Sequence, residues 1–154
     1  MTRGNARELA LHLIYGRAFT GEEPEEVIST RLEKAYYAEL GKENDVYAER
    51  PSRAQLRYID TVVAGVANRE TELDAQIQKY AIGWDISRIS KLARCILRLA
   101  IYEILYAEDV PAGVAVAEAV RIAKKYNDDD TGAFVNGILG SFVRGLPQVE
   151  EAKQ

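Results

Sequence analysis

The stretch Leu56-Arg57-Tyr58-Ile59-Asp60-Thr61-Val62-Val63-Ala64-Gly65-Val66, continued by Leu73, Ile77 and Tyr80, decides the fold class. Its apolar residues recur at three- and four-residue steps, which lines them along one stripe of an α-helix, whereas a half-buried strand needs strict alternation. Pro51 and Ser52 announce this helix, and Gln55, three residues after Ser52, has the reciprocal arrangement of a capping box. The spacing predicts one long helix running to Tyr80.

The same period continues on both sides. Ile89, Leu92, Ala93, Ile96, Leu97, Leu99, Ala100, Tyr102 and Ile104 cover nearly every side of a helix and predict the central buried one, with Asp85 as its cap and Trp84 and Ile89 as a hydrophobic staple. Val110-Pro111-Ala112-Gly113 breaks the pattern and Val114 to Tyr126 resumes it. After Asn127-Asp128-Asp129-Asp130 a last stripe, Phe134, Val135, Ile138, Leu139, Phe142 and Val143, is closed by Gly145 and Pro147; Thr131 or Asp130 is the expected cap. Upstream, Ala6 to Phe19 and Glu25 to Leu40 read as two more helices, and residues 41–51 as a polar loop. No stretch reads as a strand. The expectation is an all-α, compact helical bundle of about six to seven helices in two small helical subdomains. It forms a single domain over residues 1–148, subdivided near 81–84, with a disordered tail at 149–154.

Composition narrows the function. A chain of 154 residues with 47% hydrophobic residues can hold a core without cross-links. One cysteine, Cys95, excludes an internal disulfide framework and a Cys-based zinc site, and one histidine, His12, removes His-pair metal centres and most Ser-His-Asp logic. There is no phosphate loop, dinucleotide fingerprint, HExxH or GxSxG elbow. His12 reads as an ordinary helix position and Cys95 as a small core residue. No catalytic residue, cofactor or metal site is expected, and the protein is not read as an enzyme. The amino end mixes charges without an apolar run, and Arg94, Arg98 and Glu103 interrupt the most apolar segment, so the expected location is cytoplasmic, with no membrane association.

The net charge of −4 argues against binding nucleic acid by bulk positive charge. The acids are unevenly spread, however. Residues 1–20 carry three Arg against one Glu, while residues 21–50 carry nine acids against four bases. Salt screens charges beyond about 8–10 Å, so phosphates sense a local strip rather than the total. Arg3, Arg7 and Arg17 make the first helix such a strip, because a guanidinium grips phosphate bidentately. The start of the last helix combines free N–H groups, Asp130 and an aromatic ring at Phe134, which suits an unpaired base. Nine tyrosines, Tyr15 among them, suit interfaces or core.

Four segments, Ile96-Leu97-Arg98-Leu99-Ala100-Ile101-Tyr102-Glu103-Ile104, Val110-Pro111, Val114 to Tyr126 and Phe134-Val135-Asn136-Gly137-Ile138-Leu139, carry a resemblance in order and spacing to the NusB transcription antitermination family. Trp84 with Arg88-Ile89, and Ala6-Arg7-Glu8 followed by Leu13-Ile14-Tyr15, extend it from about residue 3 to residue 144. The resemblance implies an antitermination factor that binds boxA RNA of ribosomal RNA operon transcripts together with ribosomal protein NusE. The RNA polymerase antitermination complex, with other Nus factors, then reads through terminators. It implies RNA-binding roles for Arg3, Arg7, Asp130 and Phe134, and a place for Tyr15 at the NusE interface. Gly4 and Asn5 stand where some relatives carry arginine, and Ala93 where some place an acid facing NusE. Two alternatives stay open: a helical domain like the amino-terminal part of ribosomal RNA cytosine methyltransferases, and a protein-interaction homodimer.

Overall fold

A computed structural model describes residues 1–147 of the chain. All regular structure among them is helical: eight α-helices and two short 3-10 turns. The tail expected at 149–154 lies outside the described residues. By packing, the chain divides between Asn68 and Arg69 into two compact units, earlier than the subdivision expected near 81–84.

The first unit holds α1 (Arg3–Thr20), α2 (Pro24–Leu32), α3 (Lys34–Gly41), a 3-10 turn at Asp45–Tyr47 and α4 (Arg53–Asn68). α1 packs against α2, α4 and the 3-10 turn. Leu9 and Leu13 of α1 and Ile59, Val62, Val63 and Val66 of α4 are buried, so the stripe that predicts α4 is its core face. The capping box forms as expected: Ser52 N–H donates to Gln55 Oε1 at 2.9 Å and Gln55 N–H to Ser52 Oγ at 3.1 Å. Gln55 also donates to the Met1 carbonyl at 2.7 Å, tying the amino end to the start of α4.

Two expectations for this unit are corrected. The helix expected over 25–40 is broken at Glu33, whose ψ of 131° leaves the helical region. The Glu33 carboxylate accepts from the N–H groups of Ala35 at 3.1 Å and Tyr36 at 2.8 Å, satisfying orphan donors at the start of α3. The polar loop at 41–51 contains buried Val46 and Tyr47. Tyr47 stacks on His12, its hydroxyl lying 2.8 Å from His12 Nδ1, and Arg31 donates to that hydroxyl at 2.5 Å. His12 is thus a half-buried partner of the 3-10 turn.

The second unit holds α5 (Glu70–Tyr80), a 3-10 turn at Ile86–Arg88, α6 (Lys91–Tyr106), α7 (Ala112–Tyr126) and α8 (Asp129–Arg144). α6 packs against α5, α7 and α8 and buries residues around most of its circumference, as a central helix should. Arg98 on it is buried and grips Asp74 of α5 bidentately, Nε to Oδ1 at 2.6 Å and Nη2 to Oδ2 at 2.8 Å. Glu70 lies 3.5 Å from the same guanidinium. The pairing and the buried Leu73 and Ile77 hold α5 in the second unit. The helix expected to run unbroken to Tyr80 ends at Asn68, Arg69 leaves the helical region (φ −117°, ψ 18°), and α5 belongs with α6 and α8.

The start of α6 also differs from expectation. Asp85 caps the 3-10 turn, accepting from Ser87 N–H at 3.0 Å, and Ser90 caps α6, accepting from Ala93 N–H at 3.1 Å. Trp84 is 50% exposed and its ring meets Phe134. Ile89 is buried on its own account.

Candidate nucleic-acid interface

The two arginines expected to meet RNA sit one turn apart at the start of α1, but they differ in access. Thr2 caps the helix by accepting from Asn5 N–H at 3.0 Å, which holds Arg3 in the first turn with its side chain exposed. Arg7 is only 8% exposed, because α1 is buried on successive residues from Ala6 to Leu11 as it enters the core of the first unit. Long basic side chains commonly bury their stems along apolar surface, which leaves Arg7 little guanidinium to offer a ligand. Arg3 is therefore the more accessible cation of the two.

At the other end of α1, Tyr15 is half-buried and meets Phe19 edge to face, ring centroids 5.0 Å apart. Phe19 is 60% exposed. The i,i+4 spacing puts both rings on one ridge of the helix. Arg17, on the same turn, has a buried Nε with no hydrogen-bond partner among the described residues. α1 ends at Gly21, whose φ of 70° is the left-handed conformation that glycine tolerates at a helix end.

The start of α8 is built differently. Asp128, rather than Thr131 or Asp130, is the cap: its carboxylate accepts from the Thr131 hydroxyl and the Thr131 N–H, each at 2.7 Å. These two bonds hold the Asp128 carboxyl below the usual carboxylate range. With the cap supplied by Asp128, the exposed Asp130 has no hydrogen-bond or ion-pair partner among the described residues. Phe134 follows one turn later on the same ridge, half-buried, with its ring 5.6 Å from that of Trp84 at an interplanar angle of 65°. Asn136 and Gly137 are exposed, while Val135, Ile138 and Leu139 enter the core. Close approach of α7 requires Gly132, where a Cβ would come within 2.7 Å of Lys124 Cγ.

Arg3 and Arg7 thus share one ridge of α1 in the first unit, and Asp130 and Phe134 one ridge of α8 in the second. Trp84 is the aromatic neighbour that sequence reasoning assigned to a staple instead. Cys95 is buried in α6, and burial pushes its thiol up to about 11, so it stays protonated at neutral pH. No helix among the described residues is long and apolar enough to cross a membrane.

Comparison with known proteins agrees with this architecture. The model of the NusB family matches residues 4–144. The transcription antitermination protein NusB of Acetivibrio thermocellus is 40% identical over 94% of this chain and 90% of its own length. That of Symbiobacterium thermophilum is 38% identical over 95% and 92%. Among solved structures, T. maritima NusB superposes with a TM-score of 0.80 at 25% identity, covering 99% of this chain and 98% of its own. A crystal structure of antitermination factors NusB and NusE in complex with dsRNA gives 0.75 at 25% identity, over 94% and 97%. With the family model and the relatives both spanning nearly its whole length, the chain belongs to the NusB family.

Proposed function

We propose that this chain is a transcription antitermination factor that engages boxA RNA of ribosomal RNA operon transcripts jointly with ribosomal protein NusE. Within the RNA polymerase complex and alongside other Nus factors, it promotes read-through of terminators. The observation that carries the reading is the match to the NusB family over residues 4–144. The likeness to a NusB that was crystallised with NusE and RNA adds support. The function needs no reaction at this chain, and its seat is the cytoplasm.

Each unit contributes by different chemistry. On α1, Arg3 meets phosphate oxygens as a bidentate cation, and Arg7 holds the helix that presents it. On α8, Phe134 offers a ring face to a base, and Asp130 accepts from the base edge. Tyr15, braced by Phe19, offers NusE an aromatic surface with a hydroxyl at its rim. The net charge of −4 fits this division, because an acidic chain with few phosphate contacts gains from a partner on the same RNA.

Fluorescence anisotropy of labelled boxA RNA against a scrambled strand, with NusE present, tests the reading. Tighter binding of boxA is expected. Equal binding of the two strands overturns it.

A further inference from the structure

The strongest feature the proposed function leaves unused is Trp84. It is the only tryptophan of the chain and half of its surface is open to solvent. Two hydrogen bonds to Gln78 brace its turn. The Gln78 side chain donates Nε2 to the Trp84 carbonyl at 2.7 Å and accepts from Ile86 N–H at 2.9 Å. Gly83, at φ 82°, makes the left-handed turn that sets the ring out from the chain. A costly, exposed indole on a fixed backbone is pre-organised to receive a planar group at little further entropy cost.

From this geometry we infer that Trp84 is a second aromatic wall of the Phe134 site, and that the site takes one unpaired nucleobase carrying an exocyclic amino group. The inference rests on the proposed RNA-binding function and extends it. The edge-to-face pairing at 5.6 Å leaves ring surface on which a base stacks. Asp130, one turn before Phe134, supplies an acceptor without another partner, which matches the amino hydrogens of cytosine, adenine or guanine. Uracil has no amino group, and its one donor on that edge, N3–H, is flanked by two carbonyl oxygens that repel a carboxylate. Asp128, Asp129 and Asp130 are all exposed in this turn, so a phosphate is disfavoured and the base, rather than the backbone, is what enters. A base in a duplex keeps its faces stacked and its amino edge paired, so the site calls for a single strand.

Because Trp84 is unique, 5-fluorotryptophan incorporated in the full chain gives one 19F signal that remains readable with unlabelled NusE present. The probes are a twelve-nucleotide RNA of cytidine and adenosine, a uridine-only strand of equal length, and the first strand annealed to its complement, each also followed by anisotropy. The mixed strand is expected to shift the 19F signal at the concentrations at which anisotropy saturates, and the uridine strand and duplex to shift it little. Trp84→Ala is expected to weaken binding of the mixed strand about tenfold, Trp84→Phe less than about threefold, and Ile82→Ala, at the most exposed apolar residue of the turn, not at all. Helical circular dichroism of each variant separates loss of contact from loss of fold. If anisotropy reports binding while the 19F signal stays fixed and Trp84→Ala binds like the parent, the role of Trp84 is overturned and RNA binding stands. Equal 19F shifts from the duplex or the uridine strand overturn the unpaired amino base. If no strand binds, the RNA-binding reading falls and takes this inference with it.

Discussion

The amino ends of α1 and α8 are each the start of a capped helix carrying residues proposed to meet RNA, yet they are built with opposite chemistry. α1 begins on a neutral cap, Thr2, and offers a cation, Arg3, before it sinks into the core at Arg7. α8 begins on a charged cap, Asp128, and offers a carboxylate and a ring pair, Asp130 with Phe134 and Trp84. Phosphate attraction is long-ranged, salt-dependent and indifferent to sequence, whereas stacking and base-edge bonding are short-ranged and depend on the base. Under the proposed function, the difference divides affinity and selectivity between two helix starts in a chain whose net charge is negative.

The comparison breaks most severely at Arg7. If that side chain serves the fold of the first unit, Arg7→Ala lowers stability by about 2–4 kcal/mol, since it removes a buried charged group and its packed stem. A large drop in the urea midpoint is the expected outcome; a fully stable variant that has lost RNA binding would return Arg7 to the role of a direct contact. Next in size is Phe134→Ala. It should cost about 1–3 kcal/mol in RNA binding while leaving the slope of log K against log salt nearly unchanged. A changed slope would mean that the α8 end works through charge after all.

How much of this was legible in the sequence depends on whether the deciding contact is local. The helices themselves were readable, because a stripe such as Leu56 to Val66 and a box such as Ser52 to Gln55 are written within a few residues. The breaks at Glu33 and Arg69 were not. Neither has a proline or glycine beside it, glutamate is an uncommon cap, and the contacts that hold α5 in the second unit are not local, Asp74 pairing with Arg98 24 residues away. The buried turn at Val46 and Tyr47 was hidden for the same reason, since its partners His12 and Arg31 come from earlier helices. At the candidate site, Asp130 and Phe134 were readable from the local pattern of a helix start with an acid and an aromatic one turn apart, and the family resemblance points to the same pair. The burial of Arg7 and the meeting of Trp84 with Phe134, 50 positions later, are products of tertiary packing that no local pattern encodes.

Two smaller effects sharpen the contrast. Arg3→Ala should lower the salt slope of RNA binding by about one unit, with stability changed by less than about 0.5 kcal/mol, because the side chain is exposed and is proposed to meet one phosphate. An unchanged slope would remove α1 from the RNA. The smallest effect concerns pH. Bonds from the Thr131 hydroxyl and N–H depress the folded carboxyl of Asp128, so its contribution is fully present above the ordinary aspartate range, near 3.9, and is lost as pH falls through the lower folded value. Thr2, the cap of α1, does not titrate. Asp128→Asn keeps an acceptor at the cap without the charge, so its thermal midpoint should fall less than the parent's between pH 5 and pH 2, as followed by circular dichroism. Glu33, Glu72 and Asp85, also held below their usual values, titrate in both proteins and cancel in the difference. Identical falls in the two proteins would show that the start of α8 is held by packing alone, and the contrast between a titrating and a non-titrating helix start would then carry no weight.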